Sequence, residues 1–91
     1  MSEKVMEAFQ EALKDLEKVL EEGARKHGEG SWLEVANPSL QHKANCASMF
    51  RHLAEVSCKF DVDPESGVDP LLHLACRAMM YYVRKQRGIQ V

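Results

Sequence analysis

Along the first quarter of the chain, Met6, Phe9, Leu13, Leu16 and Leu20 recur at alternating steps of three and four, which places them on one stripe of a helix. Val5, Ala12 and Val19 widen that stripe beyond a coiled-coil seam, so the pattern predicts a bundle helix packed on two neighbours. Ser2 offers a capping oxygen at its start. Gly28 and Gly30 can end it, and the helix is expected over about 3–26.

Asn37-Pro38 pairs a capping side chain with a residue whose missing N–H would be unpaired at a helix start, and predicts a second helix over about 38–59. At roughly 100° per residue, Leu40, Cys46, Ala47, Phe50, Leu53 and Ala54 fall towards one side, expected to face the core. Gln41, Asn45, Ser48, His52 and Glu55 gather on the other side. Such a stripe is ordinarily solvated surface. Here it is made of short, uncharged or coordinating groups instead of the Lys/Glu mixture of the first helix, and that suits the lining of a cleft.

Asp69-Pro70 repeats the capping device, and a third helix is expected over about 70–86 with Gly88 as terminator. Its apolar face is Leu71, Leu74, Ala75, Ala78, Met79 and Tyr82. His73, Arg77 and Arg84 lie opposite at steps of four and seven, an edge suited to contacting an anion. There is no repeat, low-complexity tract or strand pattern. The expected fold is all-α: one domain over 1–91, a three-helix antiparallel bundle. A domain of 91 residues has a marginal core, so completion by a homo-oligomer is expected.

Charge changes this picture modestly. The formal net charge of -2 provides no basic field to draw the chain to nucleic acid or an anionic membrane. Residues 3–22 carry seven acidic side chains against three lysines, whereas Arg77, Arg84, Lys85 and Arg87 collect near the end, a polarity suited to joining subunits. Cys46, Cys58 and Cys76 form no CxxC pair and read as buried thiols of a reducing compartment. With no signal peptide and no apolar run long enough to span a bilayer, the expected location is cytoplasmic.

Two stretches carry candidate chemistry. Gly23-Ala-Arg-Lys-His-Gly-Glu-Gly-Ser-Trp32 is a glycine-rich basic segment whose N–H groups and cations suit a phosphate, although it lacks the Walker spacing and reads equally well as a loop anchored by Trp32. The stretch from Asp61 to Arg77 holds Asp61, Asp63, Glu65 and Asp69 with Pro64, Gly67, Pro70 and His73. It is either a well-built turn and cap or a set of metal ligands.

Together, Gly23 to His27 with Gly30 and Trp32, Arg51-His52-Leu53, Asp63-Pro-Glu-Ser-Gly67 and Leu72-His73-Leu-Ala-Cys76 resemble, in order and spacing, a family of small phage and bacterial proteins. These are the dATP/dGTP diphosphohydrolases, found alone or at the N-terminus of longer chains. The likeness covers roughly residues 22–83. The family often has a second histidine where this chain has Pro70, and Gly-Glu where it has Lys59-Phe60.

The resemblance implies a MazG-like all-α pyrophosphohydrolase of purine deoxynucleoside triphosphates that uses a divalent metal. His52, Asp63, Glu65 and His73 then match polar positions of the family and Lys26 its basic one. On this reading His52 and Glu65 are catalytic, while Asp63, Glu65 and His73 are metal ligands. Oxygen donors suit Mg²⁺, and a site that also takes His52 or His73 leans towards Mn²⁺ or Co²⁺. Lys26 and Arg77 are expected on the phosphates, with Trp32 against the base. The alternative is a non-catalytic helical binding protein that holds a nucleotide or blocks a host protein. A third reading is a purely structural assembly.

Overall fold

The computed structural model describes residues 1–59, 61–63 and 66–89. Helix α1 spans Glu3–His27, α2 His42–Ser57 and α3 Pro70–Gln86, with single 3-10 turns at Ser31–Leu33 and Pro38–Leu40. The described residues contain no strand, so the fold is all-α as expected. No helix among them is long and apolar enough to cross a membrane.

The caps act where the sequence places them. Ser2 Oγ accepts from Val5 N at 3.3 Å, and Asp69 Oδ1 accepts from Leu71 N at 2.9 Å ahead of Pro70. Gly28, at φ +93, closes α1 with its N–H on the Ala24 carbonyl. Asn37-Pro38 behaves differently from the expected helix start. Asn37 Oδ1 accepts from Ser39 N while its Nδ2 donates to the Ser31 carbonyl, so the cap joins two short turns to each other. Gln41 is then extended (φ -67, ψ 158), and α2 begins only at His42. It ends at Ser57, short of the expected Lys59, which sits at φ +59.

α2 and α3 pack antiparallel: His42 meets Tyr81, Asn45 meets Arg77, and His52 meets His73. α1 rests chiefly on α3. The half of its stripe around Leu16, Val19 and Leu20 is partly covered, whereas Val5, Met6, Phe9 and Leu13 are exposed and no residue of α1 is buried. The expected burial of this stripe between two neighbours is therefore not met within one chain.

The interior is the reverse of what α2's periodicity suggested. Leu40, Pro70 and Cys76 are the buried apolar residues among those described, beside buried Asn45, His52, Asp63 and Arg84. On α2 the polar stripe faces inward and the apolar side looks out, with Phe50 71% and Leu53 47% exposed. The buried polar residues Asn45 and His52 tolerate this placement because each finds partners, while Gln41 Oε1 is buried without one. Asn45 Nδ2 donates to the Leu40 carbonyl at 2.7 Å, and its Oδ1 accepts from Arg77 at 3.0 Å. The thiols also divide: Cys76 is buried, Cys46 half-buried and Cys58 exposed, all three free.

Candidate functional site

The acidic turn after α2 folds back on itself. Asp63 N donates to the Val68 carbonyl at 2.7 Å, Gly67 N to the Asp63 carbonyl at 2.9 Å, and Ser66 N to Asp63 Oδ1 at 3.3 Å. The turn requires φ +74 at position 67, which glycine adopts freely. Its effect is to leave Asp63 Oδ2 directed at α2, 3.4 Å from His52 Nδ1. One helical turn along α2, Glu55 Oε1 approaches the same nitrogen at 3.0 Å.

His52, Glu55 and Asp63 thus bring one nitrogen and two carboxylates within 4.8 Å of one another. All three side chains are at most 12% exposed. Arg51 Nη2 lies 3.2 Å from His52 Nε2. A guanidinium only donates, so Nε2 accepts and the ring proton sits on Nδ1, between the two carboxylates. Two carboxylates crowded into a dry corner are stabilised by that proton or by a bound cation.

His73 stacks on His52, with ring centroids 4.7 Å apart and planes 17° from parallel. Its Nε2 is engaged by Ser66 Oγ at 2.6 Å, while Ser66 Oγ accepts from Val68 N. His73 is therefore the wall of the cluster, and its nitrogen is not among the grouped donors. Burial, and then the electrostatic effect of neighbouring His52, lower its pKa below the ordinary histidine value; Asp63 works in the opposite direction.

His52, Ser66 and His73 line a cleft of about 1270 Å³ between α1, the Ser31–Leu33 turn, α2 and α3, with Glu55 and Asp63 behind His52. That is room for a nucleoside triphosphate and water. Lys26, Trp32, Arg51 and Arg77 line it together with His52 and His73. The expected substrate contacts and both histidines hence share one cavity. Glu65, expected to be catalytic and to hold metal, lies outside the described residues.

Arg84 departs from the anion-contacting edge that its spacing suggested, whereas Arg77 lines the cleft. Arg84 is fully buried, its Nη1 donating to the Trp32 and Glu34 carbonyls at 2.8 Å each and its Nη2 to the Ile89 carbonyl at 3.2 Å. It fixes the turn that carries Trp32. Arg77 Nη1 donates to the Ser39 carbonyl at 2.9 Å as well as to Asn45, which anchors the side chain where it lines the cleft. Burial lowers the pKa of this guanidinium. Two residues escaped the sequence-level site, Glu55 and Arg51. Their signal was present: Glu55 closes the polar stripe of α2 three residues after His52, and Arg51 precedes it.

A family model described as "dATP/dGTP diphosphohydrolase, N-terminal" matches residues 3–91. No curated protein and no solved structure matches the chain.

Proposed function

The chain belongs to the dATP/dGTP diphosphohydrolase N-terminal family, and on that footing we propose that it is a metal-dependent pyrophosphohydrolase of purine deoxynucleoside triphosphates. The observation that carries the metal-dependent reading is the convergence of His52, Glu55 and Asp63 donors behind a cleft that His52 lines and that has cations on its walls.

The donor set fits a divalent cation. Two carboxylates supply hard oxygen ligands, and the imidazole shifts the preference from Mg²⁺ towards Mn²⁺ or Co²⁺. A cation on Nδ1 would require the other neutral tautomer of His52, with the ring proton on Nε2. When bound, the cation would offset the charge of the triphosphate and make an attacking water more acidic. Asp63 and Glu55, with His52 as third donor, would hold it.

The remaining residues position the substrate. In the reaction, water attacks the α-phosphorus, the bond to the β-phosphate oxygen breaks, and monophosphate and pyrophosphate leave. Lys26 and Arg77, which both line the cleft, meet the phosphates as a point charge and a planar guanidinium. Arg51 lines the same cleft and adds a cation beside His52. Trp32, held through its carbonyl by Arg84, offers a face for the base.

The test is incubation with each deoxynucleoside and ribonucleoside triphosphate under Mg²⁺, Mn²⁺ or Co²⁺, with separation of products by ion exchange. Monophosphate and pyrophosphate from a purine deoxynucleotide, lost in Glu55→Gln and Asp63→Asn, support the proposal. Nucleotide binding in calorimetry without turnover would replace it with the non-catalytic binding reading, which Pro70, buried at the position where the family often has histidine, favours.

A further inference from the structure

Two apolar surfaces remain uncovered among the described residues. The first is the N-terminal half of α1, where Val5, Met6, Phe9 and Leu13 are 42%, 45%, 58% and 51% exposed. The second is the outer side of the α2–α3 pair, where Phe50, Leu53, Leu71 and Tyr82 are 71%, 47%, 55% and 59% exposed. None of these four lines the cleft, which lies on the other side of the pair.

The antiparallel register of α2 and α3 gives the second surface a shape. With His42 opposite Tyr81 and His52 opposite His73, Phe50 stands level with Ala75 and Ala47 with Ala78. These alanines are exposed, so the surface is low between its bulky residues and admits a further helix at close range. Its basic groups sit at one end, where Lys43 starts α2 and Lys85 ends α3, both exposed, whereas Asp69 and Asp15 of α1 border Leu71 and Ala75 at the other. The half-helix of α1 is the electrostatic complement: Glu3, Glu7 and Glu11 outnumber Lys4 there, and all are exposed.

We propose that the N-terminal half of α1 of one copy lies across the outer side of the α2–α3 pair of a second copy, and receives the reciprocal contact about a two-fold axis. The glutamates of α1 face Lys43 and Lys85 of the neighbour. Each surface supplies what the other lacks, which is why the occupant is this chain itself. The area closes as well: at the stated exposures the eight large side chains offer about 800 Å² per copy, and a stable specific pair commits about 800 Å² per partner. The contact leaves the cleft open and is independent of its chemistry.

Sedimentation equilibrium of the full chain tests this. The wild type is expected at twice its chain mass. Phe9→Glu and Phe50→Glu are each expected to halve that mass while far-UV helicity stays unchanged, since both side chains are exposed within one copy. A chain with Glu3→Lys, Glu7→Lys and Glu11→Lys, and another with Lys43→Glu and Lys85→Glu, are each expected to be monomeric alone. Mixed, they pair, because every α1-to-neighbour contact in the mixed dimer is again between opposite charges. A monomeric wild type, a dimer sensitive to only one of the two surfaces, or charge-reversed chains that fail to pair on mixing would each overturn the proposal. The charge-reversed chains decide alone if the Phe→Glu variants unfold.

Discussion

The ring of His73 lies flat on that of His52, 4.7 Å between centroids, so two imidazoles share one face beside the carboxylates of Glu55 and Asp63. Only one ring touches the carboxylates directly. A second positive charge on His73 would lose water and face any charge on His52, and both effects hold its pKa below the ordinary value.

That shift has a definite sign in stability. As pH falls through about 6.5, the unfolded chain takes up the His73 proton while the folded chain still excludes it. Between that point and the lower folded pKa the unfolded state binds more protons, so stability falls with falling pH. Above the unfolded pKa the contribution vanishes. The metal-free protein is therefore expected to lose urea resistance on acidification, and His73→Gln to flatten part of that loss. Equal pH slopes for the two proteins would contradict the assignment.

Glu55→Gln separates metal holding from folding. The amide oxygen of glutamine still accepts the His52 Nδ1–H, so the helix and the stack are expected to survive, with far-UV and near-UV spectra unchanged. The charge that draws a cation is gone. Mn²⁺ affinity measured by calorimetry is expected to fall by about 10- to 100-fold, and the rate of triphosphate hydrolysis with it. An unchanged titration would remove Glu55 from the cluster.

The thiols should react in the order of their surroundings. Burial raises the pKa of the Cys76 thiol against the smaller opposing effect of Arg77, and the side chain is 3% exposed. A thiol that is both protonated and covered attacks alkylating reagents slowly. Under limiting iodoacetamide, mass spectrometry is expected to find Cys58 modified first, Cys46 next and Cys76 last, and Cys76 only when urea opens the chain. Early labelling of Cys76 would mean that the α2–α3 interior opens on its own.

Helix starts were largely legible because capping is local: Ser2 and Asp69 are read from their own neighbours, and both caps form. Asn37 shows the limit, since the same side chain can start a helix or tie two turns, and its bond to the Ser31 carbonyl lies outside any local window. The two faces of α2 were also legible, but not which one is inside. Periodicity supplies the faces; the partners supply the direction. Asn45 and His52 are buried because Leu40, Arg77, Glu55 and Asp63 satisfy them, contacts spanning up to 32 positions. The spacing of His73, Arg77 and Arg84 was likewise correct as a row, while their separate roles depend on what each meets across the fold.

Arg84 is the sharpest such case, and its replacement tests how far the cleft depends on a residue that never lines it. Its guanidinium binds carbonyls 52 and 50 positions earlier in the chain, Trp32 and Glu34, and the Ile89 carbonyl beyond its own helix. Arg84→Met keeps the stem's packing but strips these carbonyls of a charged donor in a dry interior, an expected loss on the order of 3 kcal/mol in urea unfolding. Arg84→Lys should recover only part of it, because a single ammonium cannot span carbonyls that the planar fork reaches from two nitrogens. Freed from this anchor, the Ser31–Leu33 turn should move Trp32 towards water and red-shift its fluorescence while α2 and α3 persist. Nucleotide affinity would then drop with the cluster of His52, Glu55 and Asp63 still able to take up Mn²⁺. If fluorescence and affinity both stay at wild-type values in Arg84→Met, the turn is held by other contacts, and Trp32 needs no such support to line the cleft.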